Sequence, residues 1–399
     1  MVKRSTQRLV TPRFALITVS ALGYFIAFAM LLPTLPRYVE TVLNGSSTEI
    51  GLVVGSFGFS AAFVRPILGR VGDVYGRRIL LVSGALISGA MALLYPVWES
   101  IPVLIGLRLL TGVGESGAFV GAATAIQDLA PDDRRGEAAS YFSLAIYVGL
   151  GVGPLLGEQL FSSSGFDAVV QASFAVSMVS AILGFAVPAK APIVDRPADQ
   201  PAERRFLHRA SVVPGVVFVA SLLGVVGFST FIALYIDRLT DGQSDSAFVF
   251  ASYAGVVVLL RLFFASAPDR LGARLGTILA LGFIAAGLFI MGVWTSIVGV
   301  YVGVVVMAVG VAFNYPALFL FVMDKTEPHE RSHSVASFGF FFDVAGALGA
   351  PLLGLVVDLT GTERSAFFVG ALAAVLGLAG LPFLGSGPPR KGAAASARE

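Results

Sequence analysis

The stretch RPILGRVGDVYGRR, residues 65–78, lies between two long apolar runs and is dense in glycine and charge. Its skeleton is Gly69, Asp73, Gly76, Arg77 and Arg78. A weaker copy follows in RLFFASAPDRLGAR, with Arg261, Ala265, Asp269, Gly272 and Arg274. Arg65 to Arg261, Asp73 to Asp269 and Gly76 to Gly272 are each 196 residues apart. A polar hinge recurring at half the chain length predicts two homologous halves.

Working outward, the repeat continues. Pro131 and Arg134 recur as Pro328 and Arg331 at 197 residues. Gly149, Pro154 and Gly157 recur as Gly346, Pro351 and Gly354, again at 197. Around these landmarks the chain is apolar. Of its 399 residues 56% are hydrophobic and 13% charged, with a mean hydropathy of +0.84. Soluble domains carry about 25% charged residues. A chain of this length cannot hide so much apolar sequence in one core, so it reads as a polytopic membrane protein.

A spanning helix needs about 20 apolar residues. Twelve such spans are expected: 14–36, 48–68, 79–97, 101–127, 137–161, 166–188, 211–236, 246–266, 276–295, 297–323, 334–358 and 365–385. The expected fold is therefore all-α, with twelve transmembrane helices in two pseudo-symmetric six-helix bundles. The domains are a six-helix bundle over 1–188, a cytoplasmic linker over 189–210, and a second bundle over 211–399 ending in a short cytoplasmic tail. The linker, AKAPIVDRPADQPAERRFLHR, is charged and proline-rich.

Lysine and arginine set the expected orientation. With the N-terminus inside, the cytoplasmic loops and tails hold 21 of the 27 Lys/Arg, and the outer loops hold Arg37, Arg238 and Arg364. The other three, Arg65, Arg108 and Arg261, lie within spans. The basic N-terminus leads into a span too long for a cleavable signal peptide. Both termini are expected in the cytoplasm, with the protein in the plasma membrane.

Several chemistries are not expected. The net charge of +2 gives no footprint for nucleic acid. There is no cysteine for disulfides or thiolate metal sites, and three histidines show no metal-ligand spacing. No phosphate-binding glycine loop suggests an ATP-driven pump. No nucleophile–base set suggests an enzyme. Expected partners are a small-molecule substrate, protons and the lipid bilayer, with the chain a monomer and no cofactor beyond the proton as coupling ion.

The hinge and the two sets of six spans resemble the major facilitator superfamily over nearly the whole chain. The resemblance implies a transport site between two parallel halves, near the bilayer midplane. It also implies that Gly69, Asp73, Gly76, Arg77 and Arg78, with Asp269 in the second copy, lock the cytoplasmic face in the outward-open state. Gly69 is expected to permit close helix approach, and Asp73 to cap a helix or pair with Arg77. The fifth span, Gly149-Leu-Gly-Val-Gly153-Pro154-Leu-Leu-Gly157-Glu158, resembles the family's antiporter motif, except that Glu158 stands where the last glycine is usual. That resemblance implies a proton-coupled exporter of the drug:proton antiporter branch.

The fourth span carries Arg108-Leu-Leu-Thr-Gly112-Val-Gly114-Glu115. Arg108 resembles the family's fourth-helix arginine. It and Glu115 are seven residues apart and share one helical face. The rise over that interval is about 10 Å, so they do not pair directly without water or a long reach. Intramembrane charges are costly and usually functional. Glu115, modulated by Arg108, is the first candidate for the proton-coupling group, with Asp343 and Glu158 as rivals. The positions matching Arg108 and Glu115 in the tenth span are Val305 and Ala312. The same block also resembles the fourth helix of spinster-type lysolipid transporters, a match confined to one helix. Asn314 and Tyr315 are candidate pocket groups, and Tyr235 is expected to be an interfacial aromatic.

The expected function is proton-coupled export of a small, amphipathic organic compound by alternating access. The alternatives are a facilitator or symporter for a sugar, metabolite or lysolipid, and a non-transporting receptor or scaffold on the same fold.

Overall fold

The computed structural model describes residues 9–131, 134–188, 207–242, 246–264, 270–326 and 331–384. The linker over 189–206, Ala265, Asp269, Pro328, the tail over 385–399 and the side chains of Asp73 and Arg331 lie outside this description.

The described chain is helical throughout. Its main helices are α1 (Pro12–Thr41), α2 (Ser47–Tyr75), α3 (Arg77–Leu93), α4 (Ile101–Leu129), α5 (Arg135–Gly184), α6 (Arg209–Thr240), α7 (Ser246–Phe264), α8 (Ala273–Val293), α9 (Ile297–Asp324), α10 (Arg331–Thr360) and α11 (Arg364–Gly377). Apolar surroundings leave no water for backbone N–H and C=O groups, and a helix satisfies them within one segment. Local chemistry sets the starts. Thr11 caps α1, accepting from Phe14 N at 3.2 Å, with Pro12 in the first turn. Ser46 and Glu49 form a reciprocal capping box on α2.

Eleven described helices are long and apolar enough to cross a membrane, where the spacing predicts twelve. The difference lies in α5. Its 50 residues are continuous by hydrogen bonding but broken at Gly165 (φ 79°, ψ −176°). A straight helix of that length would run about 75 Å, more than twice the roughly 30 Å hydrocarbon layer. The chain doubles back instead, and both arms pack on α1. On the first arm a Cβ at Gly149, Gly153 or Gly157 would meet Phe25, Ala29 or Met30 at 2.3–2.6 Å. On the second, the Phe166 ring stacks on Tyr38 at 4.1 Å, and Ser180 and Ser20 exchange hydroxyl-to-carbonyl bonds of 2.7 Å.

Left-handed turns mark the repeat in the backbone. Asn44 and Asp241 have φ of 50° and 49°, 197 residues apart. Gly76 (φ 95°, ψ 156°) and Gly272 (φ 79°, ψ 156°) both stand directly before a helix, at 196. Gly165 and Gly361, φ 79° and 70°, are also 196 apart. A Cβ is disfavoured at such angles, so glycine or a short polar residue serves both copies.

Helices of residues 12–184 meet those of 209–384 most tightly at one end. There α2 lies along α10: a Cβ at Gly51 would be 2.2 Å from Ala350 O, and one at Gly354 would be 2.2 Å from Ser47 O. Asp358 accepts from Ser47 N and Thr48 N at 2.8 Å and from Thr48 Oγ1 at 2.6 Å, so α10 caps the N-terminus of α2. Beside it run ion pairs. Arg37 contacts Glu158 and Asp237, and Arg238 contacts Glu40 and Glu363. The span reading puts Arg37 and Arg238 in loops. They lie instead within the last turns of α1 and α6, where these carboxylates hold them, and Arg364 opens α11.

Candidate functional site

The charged centre is built on Arg65. This residue sits in α2, and Gly112 and Gly58 bring its two acid-bearing neighbours close. A Cβ at Gly112 of α4 would be 2.3 Å from Phe57 O, and one at Gly58 would be 2.9 Å from Asp343 O of α10. These two approaches place Glu115 and Asp343 on either side of one guanidinium. Arg65 Nη2 donates to Glu115 Oε2 and to Asp343 Oδ1, both at 2.9 Å. The guanidinium also covers the Phe119 ring, 4.5 Å from its centroid. Glu115 is 6% and Asp343 4% exposed. Arg65 Nε and Asp343 Oδ2 are buried without a hydrogen-bond partner.

Two carboxylates and one guanidinium leave a formal surplus of one negative charge. Water would ordinarily solvate it, and here burial removes that option. The cluster also joins residues 278 apart in the chain. It is therefore a charge site and an inter-repeat tie at once.

The expected Arg108–Glu115 relationship is replaced. Arg108 turns to α2, donating from Nε to Val53 O at 3.2 Å and from Nη2 to Val54 O at 3.5 Å, with Phe57 beneath it at 4.8 Å. Glu115 takes Arg65 instead, because α2 approaches at its level while Arg108 lies two turns away. In the sequence Arg65 counts among the intramembrane charges but shows no sign of a role. Its acid partners come from α4 and α10, a juxtaposition that spacing along one helix does not reveal.

Glu158, the rival coupling acid of the fifth span, is 6% exposed, paired with Arg37, and accepts from Ser246 Oγ. The close fit of α5 against α1 and α7 buries it. Gly149, Gly153 and Gly157 of the motif face α1, and Pro154 lies within the same arm.

The hinge residues are placed as follows. Gly69 is expected to permit close helix approach, yet a Cβ there would meet nothing within 4 Å. Gly76 forms the turn between α2 and α3. Arg77 Nε pairs with Asp128 at 3.2 Å, and Arg78 Nε donates to Val187 O at 2.6 Å. Asn314 is fully buried, donating from Nδ2 to Ser221 Oγ at 2.7 Å, with Oδ1 unpartnered. Tyr315 stacks on Phe319 at 5.4 Å. Tyr235 does not face outward: it is 5% exposed and packs edge-on to Phe367. Among the described residues no group of three or more His, Cys, Asp or Glu could hold a metal ion.

Known proteins share this architecture. A family model described as Major Facilitator Superfamily matches residues 17–350 and again 216–399. A Salmonella typhimurium protein, named an uncharacterized MFS-type transporter, is 26% identical over 365 residues, covering 89% of this chain and 92% of its own. The crystal structure of the nucleoside transporter NupG superposes with a TM-score of 0.73 at 14% identity, covering 95% of this chain and 100% of that one. A bacterial homolog of the human lysosomal transporter Spinster, inward-facing and occupied, gives 0.68 at 18%, covering 93% and 94%. The apolar helices, the duplicated turns and a family match spanning most of the sequence lead to one conclusion: this chain belongs to the major facilitator superfamily and is a multi-pass membrane transporter.

Proposed function

We propose that the protein is a proton-coupled secondary transporter that exports a small amphipathic organic compound across the plasma membrane. The arms of α5 count as separate spans, giving twelve in two six-helix bundles, 1–188 and 211–399, joined by the 189–210 linker. Both termini face the cytoplasm, by the bias of lysine and arginine toward those loops. The tightly packed end, with Asp358 on α2 and Arg37 between Glu158 and Asp237, is then the outer face, closed in this conformation. The chain acts as a monomer, with the proton as its coupling ion.

The observation that carries this reading is the Arg65 bridge between Glu115 and Asp343. A proton arriving on either acid removes the surplus negative charge and releases one of the two ties to Arg65. When Asp343 is the acceptor, the released tie is the one joining the bundles. Protonation and relative movement of the bundles are thereby linked through a single guanidinium. The hinge around Asp73, Arg77 and Arg78 serves as the opposite lock, closing the cytoplasmic face when the outer end opens.

The test is substrate accumulation in proteoliposomes with an imposed pH gradient, beside counterflow without one. Glu115→Gln and Asp343→Asn are each expected to keep counterflow and to lose gradient-driven accumulation. Full gradient-driven transport in both variants would refute the assignment. So would its loss in Glu158→Gln alone.

A further inference from the structure

We propose that Arg261 is the docking point for an anionic group on the transported substrate. This deepens the transport reading above by naming the substrate class, and it rests on that reading. Arg261 stands 196 residues after Arg65 and occupies the corresponding place in α7. Arg65 is met by Glu115 and Asp343. The residue matching Glu115, 197 further on, is Ala312, and the residue matching Asp343, 197 earlier, is Ile146. The second copy thus keeps the arginine and replaces both carboxylates with apolar side chains.

The geometry agrees. Among the described residues no carboxylate pairs with Arg261. Its Nη2 donates to Tyr147 Oη at 3.2 Å, its guanidinium lies 4.6 Å from the Tyr147 ring centroid, and its Nε is buried without a partner. Ala312 packs in the same cluster as Tyr147, Tyr253 and Phe313.

A cation within a span is retained at a cost, and the usual compensation is a paired anion. The described residues supply none to Arg261, while Arg65 has two. A carboxylate, sulfonate or phosphate on the substrate would complete the pair, with Tyr147 donating its own hydroxyl proton. Tyr147 comes from α5 and Arg261 from α7, so the site lies where helices of the two repeats face each other. The aromatic walls suit an aromatic or otherwise apolar body behind the charged head.

The experiment is thermal stabilisation of the full-length protein in phosphatidylcholine nanodiscs. The probes share one skeleton: 1-naphthoate, 1-naphthalenesulfonate and 1-naphthyl phosphate, neutral 1-naphthamide, and cationic 1-naphthylmethylamine. At least one anion is expected to stabilise the wild type, at a concentration roughly tenfold or more below the neutral and cationic probes, the worth of one charge-assisted hydrogen bond. Arg261→Gln should abolish this preference and Arg261→Lys should retain part of it. Ile146→Asp and Ala312→Glu each restore a carboxylate at a repeat-matched position and should also abolish it. Of these Ile146→Asp is the less disruptive, its site being only partly buried. The proposal is overturned if no anion stabilises the folded wild type, if naphthamide binds as well, or if anion binding survives Arg261→Gln. It is overturned as well if only short-chain phosphatidylglycerol competes for Arg261, since the occupant is then lipid. Binding is measured at equilibrium without a gradient. Anion binding without proton-driven transport would sink the coupling mechanism and leave this site standing. Proton-driven transport without Arg261-dependent anion binding would do the reverse.

Discussion

Replacing Arg65 by methionine removes the cation between Glu115 and Asp343 while keeping a long, flexible side chain in its place. Both acids are more than nine-tenths buried, and each takes a 2.9 Å bond from the same Nη2. Breaking a buried ion pair by deleting one partner costs about 3–5 kcal/mol, mostly from the charge left behind. The contact with Phe119 adds about 0.5–2 kcal/mol. Methionine returns part of this through its own burial, about 1.5–3 kcal/mol. A net loss of about 3 kcal/mol in unfolding free energy is therefore expected for Arg65→Met. If the loss is electrostatic, neutralising the stranded acids must return it. The triple variant Arg65→Met, Glu115→Gln, Asp343→Asn should recover most of the stability, because replacing a whole buried charge cluster is often nearly neutral. The assay is equilibrium unfolding in mixed micelles for the single variants, the pairs and the triple, analysed as a mutant cycle. An Arg65→Met loss below about 1 kcal/mol would refute the reasoning, as the stranded carboxylates would then not be sensing one another or the arginine. A triple variant no more stable than the single would point to packing instead of charge.

Two further predictions concern the closed end and the orientation. Asp358→Asn weakens the cap on α2; a cap is worth about 0.5–2 kcal/mol, and Asp358 is exposed, so a shift of a few-fold toward the outer-open state is expected. It would be read as a longer distance between spin labels at Val42→Cys and Asp241→Cys, and an unchanged distribution would exclude a latch there. Ala198→Cys, in a chain without other cysteines, should resist impermeant thiol reagents in intact cells; rapid labelling would reverse the topology.

The membrane class, the repeat and most helix ends are legible in the sequence, because each depends on local chemistry. Apolar length decides whether a helix can span. Positive φ asks for glycine or a short polar residue, which is why Asn44, Gly76 and Gly165 have partners at 196–197 residues. The turn at Gly165 is visible as a break between expected spans, although hydrogen bonding runs through it and eleven long helices result. The glycine row of Gly149, Gly153 and Gly157 announces a close helix neighbour without saying which.

What only the tertiary structure decided is which charge answers which. Arg108 and Glu115 share a helical face, yet a helix holds residues seven apart roughly 10 Å from one another. Neither could satisfy the other. Each took a partner from α2, brought within reach at Gly112, and Arg65 of α2 in turn reached Asp343 across the α2–α10 contact at Gly58. The same holds for Glu158, which the fold buries against Arg37, and for Arg261, whose lack of a carboxylate among the described residues emerges only when the facing helices are in place. A buried ion is satisfied by whatever group packing places within about 3 Å, and packing between helices hundreds of residues apart is not encoded in the spacing of any one of them.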